Sequence, residues 1–477
     1  MPVSRDTTLI ETHPTRYLVL LVGAAAILFT AGTSHLSLPS LDDCFYARKG
    51  VEMHQRGASL EVTWNGHATF QNPPAQFWLL ATSFELIGYN DFAARLPSIL
   101  MALGILLGVF SIGEKTVGRE ASLLGICLLL LSPYFTSNAR RCMLEVPLTF
   151  WLVAAIAVFV RGIERPRLHI LFFLPLAAAM LTKSLLAFIG VFIVGGTIAL
   201  SPELRRSLDK RWIVFGTAMG VFIGLSWSFY LVHQHGLAGL RAHYVEEIFS
   251  RSSKSFDLGN FFLDYPSILF RDFQIAIIPA VLGAILLWKC HDIPRWVRTM
   301  FFVWLVAFPV MINFSSARTA RYIFPIIPAL ALTGGYWLDQ SLKRFSRHLY
   351  IWIVPSLSVL AAIVFWVHPS AMTRDRNAPM KQSAAFIQES VSPSEAVPYF
   401  GENYWVVANP LMYYAHRQLA LPSSSPQTAA SKALANSARL LFCSPGQWPA
   451  LRESGHVFTV VLETQQWLLL RVEDPVS

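Results

Sequence analysis

Long apolar runs alternate with short polar segments over the first three quarters of the chain. Each run approaches the length of about 20 residues that an α-helix needs to cross roughly 30 Å of hydrocarbon. The pattern predicts an all-α polytopic membrane protein with about eleven transmembrane helices. The predicted spans are residues 17–36, 93–112, 120–136, 146–161, 168–182, 185–201, 212–232, 272–288, 297–313, 322–340 and 349–367.

Positive charge is concentrated in the short segments on one side of these spans. If the amino terminus is cytoplasmic, segments such as RGIERPR and SLKRFSRH are also cytoplasmic, as the positive-inside rule requires. The long loops 37–92 and 233–271 then lie outside, together with the tail. We therefore expect a multi-pass protein of the plasma (inner) membrane. No clear cleavage site follows the first run, which favours a retained span over a signal peptide.

Two segments depart from the pattern of spans. Residues 73–88 are apolar but short and contain Glu85, and a span there would reverse every later loop, so we predict a helix at the outer interface. After the transmembrane domain, 1–367, short strand-like runs such as FTVVLE and WLLLRVE alternate with amphipathic helices. Residues 368–477 are therefore predicted to form a small extracytoplasmic α/β domain, with a polar loop at 421–431.

Composition supports a membrane protein and excludes two other classes. The chain is 54% hydrophobic and 14% charged, so it has too few polar side chains to coat a soluble globule of 477 residues. Its net charge of +9 is spread over short segments, which argues against a nucleic-acid partner. Five cysteines without metal-ligand spacing predict no disulfide framework, although a Cys44–Cys142 bridge stays open.

Two adjacent carboxylates, Asp42 and Asp43, follow the first span within a few residues. Aspartate is favoured at the start of a helix, so capping of the helix that follows is one interpretation. The functional interpretation is a general base that takes a proton from an acceptor hydroxyl or amine.

Basic residues also lie at the predicted outer ends of spans, against the orientation rule. Arg140 and Arg141 share a short loop with Glu145. Arginines that reach to the interface as anchors are one explanation. The other is an anionic ligand held by the guanidinium groups, with Glu145 ordering them.

Further cations occur on the same predicted side. Lys183 lies in a turn between two runs that are short for spans, where a lysine costs about 3 kcal/mol to insert, so it needs an anionic partner or a wet cavity. The simplest single ligand for all the outer cations is a lipid phosphate that enters from the bilayer. The predicted phosphate-binding set is Arg140, Arg141, Lys183, Arg318 and Arg321, with Tyr322 beside it.

One acidic and one cationic cluster suit a defined reaction. A sugar bound through phosphate has a good leaving group, so its site needs a base for the acceptor and cations for the departing oxygens. The sequence therefore predicts a glycosyltransferase with its active site on the extracytoplasmic side.

Five segments in order resemble the C-type fold (GT-C) membrane glycosyltransferases, the family of protein O-mannosyltransferases and the aminoarabinose transferase that modifies lipid A. They are LDDCFYARKGVEMHQRG, QNPPAQFWLLATSFELIGYNDFAARLPS, SPYFTSNARRCMLEVPLTFW, AMLTKSLLAFIG and SSARTARYIFPIIPALALTGG. The resemblance implies a polyprenyl-phosphate sugar donor, inversion at the anomeric carbon, and a lipid A, glycan or protein acceptor in the cell envelope. It implies that Asp42 is the base, that Glu145 is the acidic residue of the second loop, and that Lys183, Arg318, Arg321 and Tyr322 bind the lipid phosphate.

The chain departs from the family at positions that bear on a metal. Gln71 and Asn72 stand before two prolines where the pattern usually has an acid and a lysine, and Phe45 stands where some relatives have an arginine. Ile248 lies near the place of a metal-binding histidine in some relatives. No metal site is predicted, although a divalent metal stays open through the nearby side chains of His243, Glu246 and Glu247.

A polytopic transporter of a lipid-linked or anionic substrate is the alternative from another class. Transporters place their binding groups near the bilayer midplane on broken helices, whereas these ionisable residues collect at the outer ends of spans. A scaffold that binds a partner protein is a third interpretation, but it gives no reason for keeping intramembrane charges.

Overall fold

The computed structural model is helix-rich, with a small mixed sheet near the carboxyl end. The residues it describes are 14–39, 41–57, 59–249, 266–271, 273, 276–313, 320–345, 356, 375 and 377–473.

Apolar helices dominate the chain up to residue 345. Short 3₁₀ turns at Pro166–Phe172, Ser184–Ala187 and Phe324–Ile326 and π-helical turns at Ala242–Phe249 and Val303–Ala307 join or extend them. In chain order the helices are α1 (Pro14–Thr30), α2 (Leu41–Arg56), α3 (Ala75–Ile87), α4 (Asp91–Thr116), α5 (Arg119–Leu131), α6 (Pro133–Ala139), α7 (Glu145–Gly162), α8 (Phe173–Lys183), α9 (Phe188–Leu200), α10 (Pro202–Ser207), α11 (Lys210–Gly224), α12 (Ser226–Arg241), α13 (Ile277–Lys289), α14 (Arg295–Phe302), α15 (Phe308–Asn313), α16 (Ala320–Ile323) and α17 (Ile327–Phe345).

Several of these helices suit a membrane. Four helical stretches of the described residues are long and apolar enough to cross one, or up to five if α5 and α6, which are bent by 75°, form one span. The four are Asp91–Thr116, Glu145–Gly162, Pro166–Leu200 and Lys210–Glu246, and shorter apolar helices lie at Thr15–Thr30, Ala75–Ile87 and Ile277–Lys289. A multi-pass membrane protein is therefore supported, but the predicted count of eleven spans is not confirmed. The last predicted span, 349–367, lies outside the described residues except for residue 356.

Two glycines allow helices to approach closely. A Cβ atom on Gly335 of α17 would lie 2.1 Å from the carbonyl oxygen of Ala121 in α5. A Cβ atom on Gly50 of α2 would lie 2.5 Å from Leu80 Cβ in α3. Because no larger side chain fits either place, these glycines set the helix separations. The segment at 73–88 is a helix, α3, as predicted, and it packs on α2, which begins with the acidic pair.

A short hairpin and the carboxyl-terminal region supply the strands. The hairpin pairs β1 (Thr63–Trp64) with β2 (His67–Ala68). Farther along, β4, β6, β8 and β7 form a four-stranded sheet in that order, and β3 pairs with β5. The elements of this region are α18 (Ala378–Ser390), β3 (Ala396–Val397), β4 (Tyr399–Phe400), α19 (Tyr404–Pro410), β5 (Gln418–Leu419), α20 (Pro426–Leu434), β6 (Leu440–Cys443), α21 (Trp448–Arg452), β7 (Val457–Glu463) and β8 (Leu468–Glu473).

The predicted strands are present in this region, but one predicted loop is wrong. Within 421–431, α20 begins at Pro426, with Ser425 as its N-cap accepting a hydrogen bond from the Thr428 N–H. Proline at the first helical position and serine before it are a start signal for a helix. A boundary at residue 368 and an extracytoplasmic location of 368–477 stay predictions.

Arg95 of α4 is a buried cation that joins the ends of several elements. Its side chain is 1% exposed. A carbonyl oxygen near a helix end needs a donor when water is absent, and one guanidinium carries five N–H groups. Its acceptors, at 2.7–3.2 Å, are the carbonyl oxygens of Thr33, Leu36, Ser37, Asp91 and Arg140.

We expect Arg95→Met to destabilise the protein by on the order of 3 kcal/mol or more, because several buried carbonyl groups lose their donor. Thermal unfolding in detergent would show a lower midpoint. Arg119→Met is the matched control, since Arg119 is 58% exposed and its ion pair with Glu114 contributes at most about 1 kcal/mol. Equal unfolding midpoints for the two variants would contradict this structural role of Arg95.

Candidate functional site

The two carboxylates at the start of α2 point to different partners. Asp43 is fully buried, and its Oδ2 accepts from Arg141 Nη2 at 2.8 Å and Nε at 3.1 Å. Its Oδ1 accepts from the Cys142 N–H at 2.8 Å. Burial opposes the charge of Arg141, yet the Asp43 carboxylate raises the pKa of that guanidinium above its ordinary value. Asp43 therefore fastens α2 to the loop before α7.

Asp42 faces the other way and stays accessible. Its side chain is 44% exposed, and it forms an ion pair with Arg321 Nη1 of α16. Burial opposes the charge of Arg321, but the Asp42 and Glu145 carboxylates raise its pKa. Successive helix positions differ by about 100°, which explains how adjacent aspartates have separate roles. Of the two, only Asp42 is accessible from outside the protein.

A second ion pair lies at the start of α7. Glu145 Oε1 accepts from Lys183 Nζ at 2.8 Å, and the two side chains are 4% and 17% exposed. The Lys183 ammonium also lies 5.3 Å from the centre of the Tyr322 ring, within cation–π range. The buried Glu145 Oε2 has no hydrogen-bond partner among the described residues. Glu145 thus orders Lys183 through one oxygen, while the other oxygen is enclosed by the protein.

Tyr46 belongs to this cluster although the sequence analysis did not select it. It follows Asp42 by four residues on α2, so both side chains lie on the same side of the helix. Burial, and then the Glu145 and Asp42 carboxylates, raise the pKa of the Tyr46 phenol well above its usual value, so it stays protonated at neutral pH. The i, i+4 spacing from the acidic pair was the available signal.

The structure brings together some of the predicted phosphate-binding residues and not others. Arg140 is 1% exposed and donates to the carbonyl oxygens of Leu28 and Ala31 at the end of α1. Its guanidinium group therefore binds main-chain carbonyl oxygens, whereas that of Arg321 binds the Asp42 side chain. Arg318 lies outside the described residues. Lys183, Arg321 and Tyr322 lie around the acidic cluster, with Arg141 held at its edge by Asp43.

The turn that carries Lys183 is fixed by a histidine. As predicted, the helix breaks at residues 182–184, and Ser184 has a φ of 45°. Its hydroxyl oxygen lies 2.7 Å from His243 Nε2, while His243 Nδ1 lies 2.6 Å from the Phe70 carbonyl oxygen. In the neutral tautomer, Nδ1–H donates to Phe70 and Nε2 accepts from Ser184. Both ring nitrogens have protein partners.

These contacts do not fit the metal that the sequence analysis left open. His243 has no free nitrogen for coordination, and Gln71 and Asn72 offer only neutral amides. No group of three or more His, Cys, Asp or Glu side chains with metal-binding geometry occurs within the described part of the chain. Cys44 and Cys142 are both buried free thiols, so the disulfide that stayed open is not formed.

Comparison with known proteins finds similarity to glycosyltransferases. Residues 71–230 match the family described as dolichyl-phosphate-mannose-protein mannosyltransferase. An uncharacterized protein of Aquifex aeolicus (strain VF5) is 28% identical over 328 residues, which cover 68% of this chain and 73% of that protein. The undecaprenyl phosphate-alpha-4-amino-4-deoxy-L-arabinose arabinosyl transferase of Shewanella sediminis is 28% identical over 197 residues, which cover 40% of this chain and 36% of that enzyme.

Two solved structures share the fold over most of the chain. ArnT from Cupriavidus metallidurans bound to undecaprenyl phosphate superposes with a TM-score of 0.75 at 18% identity, covering 96% of this chain and 98% of ArnT. The archaeal oligosaccharyltransferase AglB from Archaeoglobus fulgidus gives 0.61 at 9% identity, covering 96% and 74%. The family match and the named enzyme relatives favour a glycosyltransferase over the transporter. The resemblance found in the sequence is confirmed: the chain is similar to membrane glycosyltransferases and shares the C-type fold with them.

Proposed function

We propose that this protein transfers a sugar from a polyprenyl-phosphate donor to an acceptor on the extracytoplasmic side of the plasma (inner) membrane. The observation that carries the proposal is the Asp42–Arg321 ion pair, which joins an accessible carboxylate to a cation on a distant part of the chain. The buried Glu145–Lys183 pair supports it, because Arg321 also interacts with Glu145. A base and a set of cations side by side are what displacement of a phosphate requires.

The donor phosphate is assigned to Lys183, Arg321 and Tyr322. Among the described residues, Arg321 donates to Asp42 through Nη1, which leaves other N–H groups of its five-donor guanidinium for phosphate oxygens. Lys183 adds a second positive charge that stabilises the oxygens as negative charge develops on them. The match to a C-type enzyme bound to undecaprenyl phosphate supports a lipid phosphate here.

Asp42 is assigned as the general base. An acceptor oxygen or nitrogen attacks the anomeric carbon, its proton passes to the Asp42 carboxylate, and the bond from the anomeric carbon to the phosphate oxygen breaks. Polyprenyl phosphate leaves with that electron pair. Attack from the face opposite the phosphate inverts the anomeric centre. Glu145 Oε1 holds the Lys183 ammonium in place for the phosphate oxygens.

The chain is similar to two groups of enzymes, so the transferred sugar is either a hexose or a pentose. The family match is to mannosyltransferases, whereas several relatives are named arabinosyl transferases. Lipid A, a glycan and a protein are all acceptors consistent with a base near the membrane surface. The charge pattern of the loops, rather than the site itself, supports the extracytoplasmic location.

We expect Asp42→Asn and Arg321→Ala each to slow sugar transfer at least about a hundredfold, because one loses the base and the other a charge that stabilises the leaving group. The measurement is release of polyprenyl phosphate by purified protein in lipid, with a panel of polyprenyl-phosphate sugars. The matched controls are Asp209→Asn and Arg211→Ala, which break an exposed Asp–Arg pair away from the site. Wild-type rates in the Asp42 and Arg321 variants would rule out these roles.

A second experiment separates catalysis from folding at the buried pair. Lys183→Met leaves the Glu145 carboxylate uncompensated and is expected to destabilise the protein by about 3–5 kcal/mol. Adding Glu145→Gln removes that buried charge, so thermal unfolding of the double variant should recover much of the loss. We expect transfer to stay abolished, because the phosphate still lacks its ammonium. A stable and fully active double variant would show that the pair is structural only.

A further inference from the structure

A row of aromatic rings extends from the base toward the carboxyl-terminal region. Phe45 follows Asp42 by three residues on α2, which places the two side chains next to each other on the helix surface. Its ring centre lies 6.1 Å from that of Trp64 on β1, and Trp64 lies 4.9 Å from Trp405 on α19. Phe45 and Trp64 are half-buried, whereas Trp405 is 52% exposed.

Charged groups beneath the row hold Trp64 in place. The turn of the hairpin donates two main-chain N–H groups to the Glu52 carboxylate of α2, from Asn65 at 2.8 Å and from Gly66 at 3.2 Å. Arg48 pairs with Glu52 at 2.9 Å and also donates to the Met412 carbonyl oxygen, which follows α19. The hairpin, α2 and the segment with Trp405 are therefore linked, and the rings are set before any ligand binds.

Phe45 is held from one side by Lys49. The Lys49 ammonium lies 4.0 Å from the centre of the Phe45 ring and is fully buried. It also lies 3.4 Å from the side-chain oxygens of Thr69 and Asn72. A cation against one ring face fixes the orientation of that ring. Phe45 is thereby a rigid first member of the row, next to the base.

We infer that this row, Phe45, Trp64 and Trp405, is the acceptor-binding surface, and that it binds the ring of a sugar, so that the acceptor is a glycan or the glycosidic headgroup of a lipid. The inference rests on the proposed transferase function, because an acceptor has to deliver its nucleophile to Asp42. The row begins three residues from that carboxylate on α2 and ends at the exposed ring of Trp405 on α19.

The chemistry of the row favours a sugar over a peptide. The face of an aromatic ring carries partial negative charge, and it attracts the polarised C–H groups on the flat face of a sugar ring. Specific sites combine such apolar walls with a few polar groups that fix orientation. Here the polar group is the accessible Asp42 carboxylate, and the row itself carries no charge that would select an acidic or basic peptide.

The test uses full-length protein in lipid nanodiscs on a printed array of soluble oligosaccharides and on an array of Ser- and Thr-containing peptides. We expect wild type to be retained on a subset of the sugars. Trp405→Ala should weaken that retention roughly three- to tenfold, the loss expected for one stacked ring, while Trp405→Tyr should retain most of it. With a retained sugar as acceptor, Trp405→Ala should raise the acceptor KM more than it lowers kcat.

Trp448→Ala is the matched control, because Trp448 is a half-buried tryptophan of the same region that contacts Arg452 and lies outside the row. It should leave retention unchanged, and equal melting temperatures of the variants exclude misfolding. Retention on peptides that depends on Trp405, no retention on any sugar, or equal retention by Trp405→Ala and wild type would each overturn the inference. Failure of wild type to cleave any donor would instead contradict the proposed function, since array binding needs no donor.

Discussion

The site depends on the hydrogen bonds that Asp43 makes while fully buried. A carboxylate without water is tolerated only when it is paired and hydrogen-bonded, and Arg141 and the Cys142 N–H supply both conditions. The pairing fixes the start of α2 against the loop that leads into α7. On α2, Asp42 directly precedes Asp43. On the loop, Glu145 follows Cys142 by three residues. Asp42 and Glu145 are therefore brought near each other because the Asp43 carboxylate is bound between the elements that carry them.

The charged residues of this region divide into two groups by what their polar atoms contact. Arg95 and Arg140 donate to main-chain carbonyl oxygens and are each 1% exposed, so they complete the ends of elements where water is absent. Asp42 and Arg321 are 44% and 40% exposed and bind each other. Ligands bind where charges are paired but accessible, because exchanging one partner for another costs less than exposing a buried group. This division is the reason for assigning phosphate to Arg321 and not to Arg140.

Most of the helices and several residues of the candidate site could be predicted from the sequence. The residues whose contacts could not be predicted share one cause. Long apolar runs, the acidic pair and the cations at span ends were visible because each is a local pattern, and the order of the motifs linked residues 42 and 321 by resemblance. The role of Arg140 was not visible, since an arginine at a span end has the same pattern whether it donates to carbonyl groups or to a ligand. Arg95 and Tyr46 were missed for a related reason. Apart from Asp91 beside Arg95 and Asp42 beside Tyr46, their partners lie on other elements, and only the packing of the fold brings them together.

The carboxyl-terminal region also holds α2 in place. Asn377 donates to the Leu38 carbonyl oxygen at 2.6 Å, just before α2, and Arg48 donates to the Met412 carbonyl oxygen from its middle. Lys381 and Tyr414 both bind Asp91, which begins α4. Because α2 carries both Asp42 and Phe45, the carboxyl-terminal region holds these two side chains in place together. In the proposed mechanism, this arrangement keeps the acceptor near the carboxylate that deprotonates it.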